Sequence, residues 1–547
     1  MKAFFRKHPS ALAAGCLLAL FLLGLFCAGD YGIYIDQQSE IAILRENLKE
    51  YAVHLSGEDS EAVRYYDRIG LPRITETAEI DHGISAFYPL APFMTRMDTA
   101  PASLFPLWNG LCWCWFMAGV AALYCLCRRL GMSRVAALAG ATLLYLSPRF
   151  FAEGHYNNKD VVLLSLCLLT MLTGVRLWEK PTLCRGAVFA LAGALCANTK
   201  IIGLCVFGVM GLAALLHLTA QRRWSRSAIL AAVGTVLCFL LFYWLLTPAM
   251  WQDPAGYFRY VFVNATGFTR WDNSILFRGA VFKHSVAPLP CYYLPYMMLT
   301  TLPVYVTCLC ALGQLTAVGC WVKQRKQLLS DPVSLLLLSA TLIWAAPLGY
   351  AMVSNPVVYN GWRHFYFVFA GLSVLGAWGL EWLIRFFRTH GKGWQQRAAA
   401  GLAGLCLATS ALGILLNHPH QYAYYNAPGR WLCPAPIEEG MELDYWCVSI
   451  IDGLEQALEA EPAGAPLTCG ALDPVTRLAL SYYTEALPPS LAGRLSLAPE
   501  DAPTPDLLVV NRTYQHLYGS PLPEGYQQVA EVRSYGSTLT QVYRRLP

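Results

Sequence analysis

Five groups of polar residues stand at the margins of long apolar runs, and each has side chains able to bind or move charge. The first is Asp36, which closes the segment Asp30 to Asp36 just after the first apolar stretch. A carboxylate there is ordinarily a solvated helix cap; the alternative is a general base held at a membrane interface, where partial desolvation raises its basicity. The second is Ser147-Pro148-Arg149-Phe150-Phe151, continuing to Asn157-Asn158-Lys159-Asp160. Arg149, Glu153, His155, Asn157, Asn158, Lys159 and Asp160 crowd a short connector that would need only a few polar residues. Ser-Pro ends one helix. Asp160 opens the next, where a carboxylate suits the dipole, but an N-cap role does not cover the rest. The third is Asn355 to His364, in which Arg363 offers a planar fork of donors matched to phosphate oxygens. The fourth is Phe282-Lys283-His284, leading to Tyr292-Tyr293-Leu294-Pro295. The fifth is Lys200, in the break Asn198-Thr199-Lys200 of an apolar run. Each basic residue alone is an ordinary interfacial anchor. Arg149 or Lys159, converging with Lys200, Lys283 and Arg363, describes a pocket for an anionic headgroup.

The elements that must position these groups follow from composition. Of 547 residues, 56% are hydrophobic and 14% charged, against about 25% charged in an ordinary soluble domain. Mean hydropathy is +0.40. Forty basic against 35 acidic residues leave a formal charge of +5, too little for a nucleic-acid binder. Most of the 19 cysteines sit inside apolar runs, where a thiol is a small hydrophobe. Only Cys291, Cys433, Cys447 and Cys469 fall in polar segments, so a disulfide is possible and not demanded. The chain reads as a polytopic membrane protein.

A span needs about 20 mostly apolar residues. Such runs occur at 11–29, 104–127, 133–148, 160–177, 186–217, 227–248, 292–321, 333–353, 364–384 and 397–416. The run 186–217 has Arg185 before it and Arg222, Arg223 and Arg226 after it, so it crosses twice, with Lys200 at the turn. The total is about eleven transmembrane helices. Placing the N-terminus with Lys2, Arg6 and Lys7 inside puts the basic clusters at 128–134, 176–185, 222–226, 323–326 and 385–397 on that same side. Every connection then obeys the positive-inside rule, and the C-terminus lies outside.

Two outer segments exceed mere connectors. The first, 30–103, contains an amphipathic helix within 36–70, with Ile41, Leu44, Leu48 and Tyr51 separated by charges and suited to a membrane surface. The second, 417–547, turns soluble. A helical stretch at 448–458 and strand-like runs at 466–471, 506–511 and 539–544 make it a small α/β domain beside a helical domain of residues 1–416. There is no phosphate-binding GxxxxGK[ST] loop, no HExxH and no zinc or haem spacing of cysteines. ATP-driven transport and zinc proteolysis are therefore unsupported.

These motifs, with Gly361-Trp362-Arg363-His364, His418 to Asn426 and Asp444-Tyr445-Trp446, resemble bacterial GT-C membrane glycosyltransferases. The nearest groups are the protein O-mannosyltransferase-like (family 39) and aminoarabinose-transferase-like proteins. The resemblance runs along nearly the whole chain, and Gln37 stands where many relatives carry a second acid. It implies a GT-C fold in a bacterial inner membrane with the site on the external side. The donor would be a polyprenyl-phosphate-linked hexose or pentose, and the acceptor hydroxyl that of a protein, lipid or glycan. Asp36 would be the base, acting by single displacement with inversion. Arg149, Lys159, Lys200, Lys283, His284, Arg363 and His364 would hold the donor phosphate. Asn158, His155 and Tyr293 would meet acceptor or sugar. Asp160 is assigned to the catalytic set, either orienting acceptor or holding a divalent cation; no other cofactor is implied. A transporter or flippase of lipid-linked sugars is the alternative, and it requires polar groups through the whole membrane depth. A scaffolding protein leaves the 147–160 cluster without a purpose.

Overall fold

The computed structural model describes residues 9–94, 101–267, 271–462, 466–484, 486–488, 490–491, 493–499, 504–522 and 524–547. Lys2, Arg6 and Lys7 lie outside them. Among the described residues, eight helices are long and apolar enough to cross a membrane, or nine if a bent pair counts as one span. The eight are Leu104–Arg129, Asp160–Glu179, Gly203–Ala220, Arg226–Leu246, Val304–Lys323, Pro332–Ser354, Val368–His390 and Gly393–Leu416. Two shorter apolar helices, Ala11–Phe26 and Leu183–Thr199, fill the remaining expected runs. The paired helices about the Lys200 turn are as the basic flanks require.

Burial sorts these helices. Asp160–Glu179 has 89% of its apolar window inside the molecule and forms the centre. Arg226–Leu246 has only 17% inside, with Leu230, Val233, Leu237 and Leu240 each more than half exposed. An apolar helix with that much exposed leucine is stable facing lipid, not water. The inner helices approach closely through glycine. A Cβ at Gly313 would collide with the Leu375 carbonyl, and one at Gly371 with that of Ala340, as membrane helix packing favours.

Three expectations need correction. The 147–160 segment is not a simple loop: Pro148–Tyr156 is a helix, bent 69° from Arg134–Tyr145, and all of its residues are buried. Proline fits its first turn because the N–H it lacks has no intrahelical partner there anyway. The 292–321 run is broken at Leu302-Pro303 into Tyr293–Thr301 and Val304–Lys323. Finally, Gln37–Ser56 does not present its charges to water. Glu40, Glu46, Lys49 and Glu50 are buried, Glu50 accepting from Arg73 Nε and Nη2 at 2.8 and 2.7 Å. Lys49 donates to Leu71 O and pairs with Asp67 at 2.8 Å.

A five-stranded mixed sheet occupies the C-terminal part, in spatial order Leu495–Leu497, Leu467–Ala471, Leu507–Asn511, Ser537–Arg545 and Tyr526–Ser534. The first three are parallel and the last two join antiparallel, with Cys469 opposite Leu507 and Val509 opposite Val542. Tyr526–Ser534 was missed in the sequence because an edge strand carries polar residues on its open face. Ser449–Ala460 packs on this sheet. Asp444 holds its start, accepting from the Val448 and Ser449 N–H groups at 3.0 and 3.1 Å. Tyr422, Tyr425, Tyr445 and Trp446 pack instead in the core of the helical bundle. All nineteen thiols are free.

Candidate active site

The ends of four helical segments and one returning strand of chain meet in a network of buried charges. Asp36 precedes Gln37–Ser56 but its carboxylate caps no N–H of that helix. It pairs instead with Arg363, Oδ2 to Nη1 at 3.3 Å. One helical turn on, Glu40 Oε1 receives Lys159 Nζ at 2.6 Å, and its Oε2 accepts from Asn158 Nδ2 at 2.9 Å. Tyr34 OH donates to Asn158 Oδ1 at 2.7 Å. Asn157 closes the turn before Asp160–Glu179, accepting from the Asp160 N–H at 2.8 Å. Asp160 Oδ1 pairs with Lys200, and its Oδ2 accepts from Asn157 Nδ2 at 3.3 Å. Both oxygens are thus engaged, so a cation at Asp160 would have to displace Lys200.

Glu153 lies deeper, fully buried, accepting from Asn157 Nδ2 at 2.8 Å, Tyr366 OH at 2.7 Å and Tyr445 OH at 3.3 Å. Three donors satisfy a buried carboxylate without a direct cation contact. Arg149, one turn earlier, is 3% exposed. Its Nε donates to Tyr424 O at 3.1 Å and its guanidinium lies 4.7 Å over the Tyr425 ring, while Nη1 and Nη2 have no hydrogen-bond partner. The backbone at Gly361 passes beside it at φ +65, where a Cβ would stand 3.8 Å from Arg149 Nη1 and 3.7 Å from Tyr445 OH. Arg363 stacks 4.2 Å from Trp446 and 4.8 Å from Tyr359, with Nε unpartnered.

Asp36, Asn158, Lys159, Asp160, Lys200 and Arg363 therefore come together, with Arg149 behind them. Three of the four cations already face a carboxylate; Arg149 keeps two open donors. The other five candidates take no part in these ion pairs. Lys283 sits on an exposed hairpin 3.7 Å from Asp272, and His284 is exposed beside it. His155 is sandwiched between Tyr31 and Trp113, with ring centroids 4.0 and 4.2 Å away, and both its nitrogens face backbone carbonyls. That arrangement packs the first helix against its neighbours. His364 rests 3.6 Å from Tyr359; burial, then Lys200 and Arg363, hold its ring well below the usual imidazole range, so it is no cation at neutral pH. Tyr293 is buried edge-on to Phe277 at 4.9 Å.

Sequence reasoning assigned no role to Glu40, Glu153, Glu442, Tyr445 or Trp446. Glu40 and Glu153 could have been suspected, since each stands four residues from a named charged residue on the same helical face. Glu442 had no such signal. It accepts from Asn360 Nδ2 at 2.9 Å and from the Leu276 N–H at 3.3 Å, and burial pushes its carboxyl up to about 7. At the other end of the bundle the basic clusters meet: Arg129 Nε lies 3.3 Å from Glu179, and Arg223 Nη2 donates to Glu179 O at 3.2 Å.

Residues 93–246 match the family model described as dolichyl-phosphate-mannose-protein mannosyltransferase. The match takes in Arg149, Lys159, Asp160 and Lys200, and it bears out the resemblance to GT-C membrane glycosyltransferases drawn from the motifs. The chain is a polytopic helical membrane protein. No curated protein matches it. Among solved structures, ArnT from Cupriavidus metallidurans bound to undecaprenyl phosphate is 13% identical, with a TM-score of 0.42 over 97% of both chains. AglB from Archaeoglobus fulgidus, an archaeal oligosaccharyltransferase in complex with an inhibitory peptide and a dolichol phosphate, is 10% identical. Its TM-score is 0.44 over 99% of this chain and 74% of that one. Likenesses at this level fix nothing about activity.

Proposed function

We propose that the protein transfers a hexosyl or pentosyl group from a polyprenyl-phosphate carrier to an acceptor hydroxyl, with inversion at the anomeric carbon. The observation that carries this reading is the meeting of Asp36 with Arg363, beside Lys159, Lys200 and the open guanidinium of Arg149. Asp36, half exposed, takes the proton of the attacking hydroxyl. The acceptor oxygen bonds to the anomeric carbon as the bond from that carbon to the phosphate oxygen breaks, and the electron pair leaves with the phosphate. Arg149 and Arg363 stabilise that leaving charge through donors not already satisfied within the protein. Three of the four cations are already paired with Glu40, Asp160 and Asp36, which leaves Arg149 as the cation with open donors for an arriving phosphate.

A lipid-linked donor keeps its chain in the bilayer, which is consistent with a charged site at one end of an apolar bundle. In this reading the site end is external, the basic end is cytoplasmic, and the membrane is a bacterial inner membrane. Residues 1–416 supply catalysis, and 417–547 form an external unit that contributes Tyr445 and Trp446. Asp160 orients the site by fixing Lys200. The acceptor is a protein, lipid or glycan hydroxyl.

The test is mass spectrometry of lipids extracted from cells lacking the protein. A sugar-phosphate polyprenyl lipid should accumulate and should disappear on complementation with the wild type but not with Asp36→Asn. No accumulation, or rescue by that variant, would overturn the reading.

A further inference from the structure

Cys27, Asp30 and His418 bring three metal-type ligands together at a place the transfer chemistry does not use. Their ligand atoms lie within 4.8 Å of one another, and among the described residues no other three His, Cys, Asp or Glu side chains come this close. Local structure explains two of them. Residues 28–31 form a single 3-10 turn after the first helix, and such a turn stacks positions three apart, placing Cys27 and Asp30 on one face. His418 arrives from the far end of the chain, two residues after Gly393–Leu416 ends. Its Nε2 lies 2.8 Å from Asp30 Oδ2, and Tyr31 meets its ring edge-on at 5.2 Å.

We propose that these residues bind a divalent cation of the zinc class. Thiolate, imidazole and carboxylate together form a mixed set that suits zinc rather than magnesium or calcium, which take oxygen ligands. Around tetrahedral zinc, ligand atoms sit about 3.3–3.8 Å apart. The observed cluster needs only a small closure of the wider contact and a small opening of the imidazole–carboxylate one. Binding releases the Cys27 thiol proton. The cation takes the place of the proton on His418 Nε2; the neutral ring then carries its proton on Nδ1, 3.3 Å from Gln421 Nε2, so the Gln421 amide must turn its oxygen toward the ring to accept it. Three protein ligands leave a fourth position for water. The Asp30 and His418 side chains are 54% and 28% exposed, so the cation can enter from solvent.

Such a site would act as a staple. Gly393–Leu416 has only 6% of its apolar window inside the molecule, so few contacts hold it against its neighbours. A metal shared by residues 27, 30 and 418 would pin its outgoing end to the end of the first helix, and binding energy of that kind stabilises the folded arrangement.

The experiment uses untagged full-length protein in detergent, stripped with a chelator and then exposed to zinc. Maleimide alkylation is followed at Cys27 by peptide mass spectrometry, which separates it from the other thiols. Zinc should slow Cys27 alkylation about tenfold or more in the wild type, and the protection should fall by a similar factor in His418→Ala. Asp30→Asn is the conservative variant, at an exposed position where folding is not at stake, and it should lose most of the protection too. An alkylation rate indifferent to zinc in the wild type, or equal protection in both variants, would overturn the proposal.

Discussion

Asp36 Oδ2 and Arg363 Nη1 lie 3.3 Å apart although 327 positions separate them in the chain. Arg363 is buried and stacked on Trp446, while Asp36 is half exposed. A fixed cation therefore orients a carboxylate that solvent can reach.

Replacing Asp36 with Asn should lower the turnover number for transfer by about 10²–10⁴-fold, the range a positioned base supplies. The donor KM should change little, because Asn preserves an acceptor for Arg363. Steady-state kinetics with a defined polyprenyl-phosphate sugar decides it. Turnover within a few-fold of wild type would remove Asp36 from the mechanism.

Arg149 and Lys159 should behave differently, since one has open donors and the other is already neutralised. Arg149→Ala should raise the donor KM about 10-fold or more, as expected for charge-assisted hydrogen bonds of about 1.5–3 kcal/mol. Lys159→Ala should mainly destabilise, because it strands the buried Glu40 carboxylate at a cost of about 3–5 kcal/mol. Pairing it with Glu40→Gln should recover part of the melting temperature. Equal donor KM in the two single variants would contradict this division.

Glu442 gives stability a pH dependence. Its folded carboxyl is raised from the ordinary 4.5 to about 7, chiefly by burial. The protonated form is therefore the one the fold favours. Its stabilisation is complete below the unfolded value of 4.5 and is lost as pH rises through 7, at about 1.4 kcal/mol per pH unit within that window. The melting temperature should fall between pH 5 and pH 8, and Glu442→Gln should flatten that slope. A slope unchanged in the variant would place the titration elsewhere.

Gly361→Ala should cost about 1 kcal/mol, because its φ of +65 suits glycine and the added Cβ meets only ordinary contacts. The effect is backbone strain next to Arg149, so a lower melting temperature should accompany a modest rise in donor KM. A melting temperature equal to wild type would show that the backbone relaxes freely there.

Much of this was legible beforehand because it rests on short-range physics. Apolar runs of spanning length mark helices wherever they fold, so the hairpin around Lys200 and the central helix opening at Asp160 were visible in the sequence. Short apolar runs at 466–471, 506–511 and 539–544 within a more polar segment marked strands. The short helix at 148–156 was hidden because its polar residues read as a solvated connector, yet every one is buried. Such burial depends on Tyr366 and Tyr445 supplying donors, and those sit more than two hundred positions away.

By itself, the sequence determined what each segment must be: which stretches bury in lipid or protein, where the charges gather, and that an acid and several cations border the same apolar runs. Only the tertiary structure decided the pairing. It gave Asp36 to Arg363, Glu40 to Lys159 and Asp160 to Lys200, and it left Arg149 with open donors and Lys283 on a distant hairpin. Hydropathy and periodicity act over one or two turns of chain. An ion pair depends on distances of a few ångströms in space, which are set only when all the helices have packed.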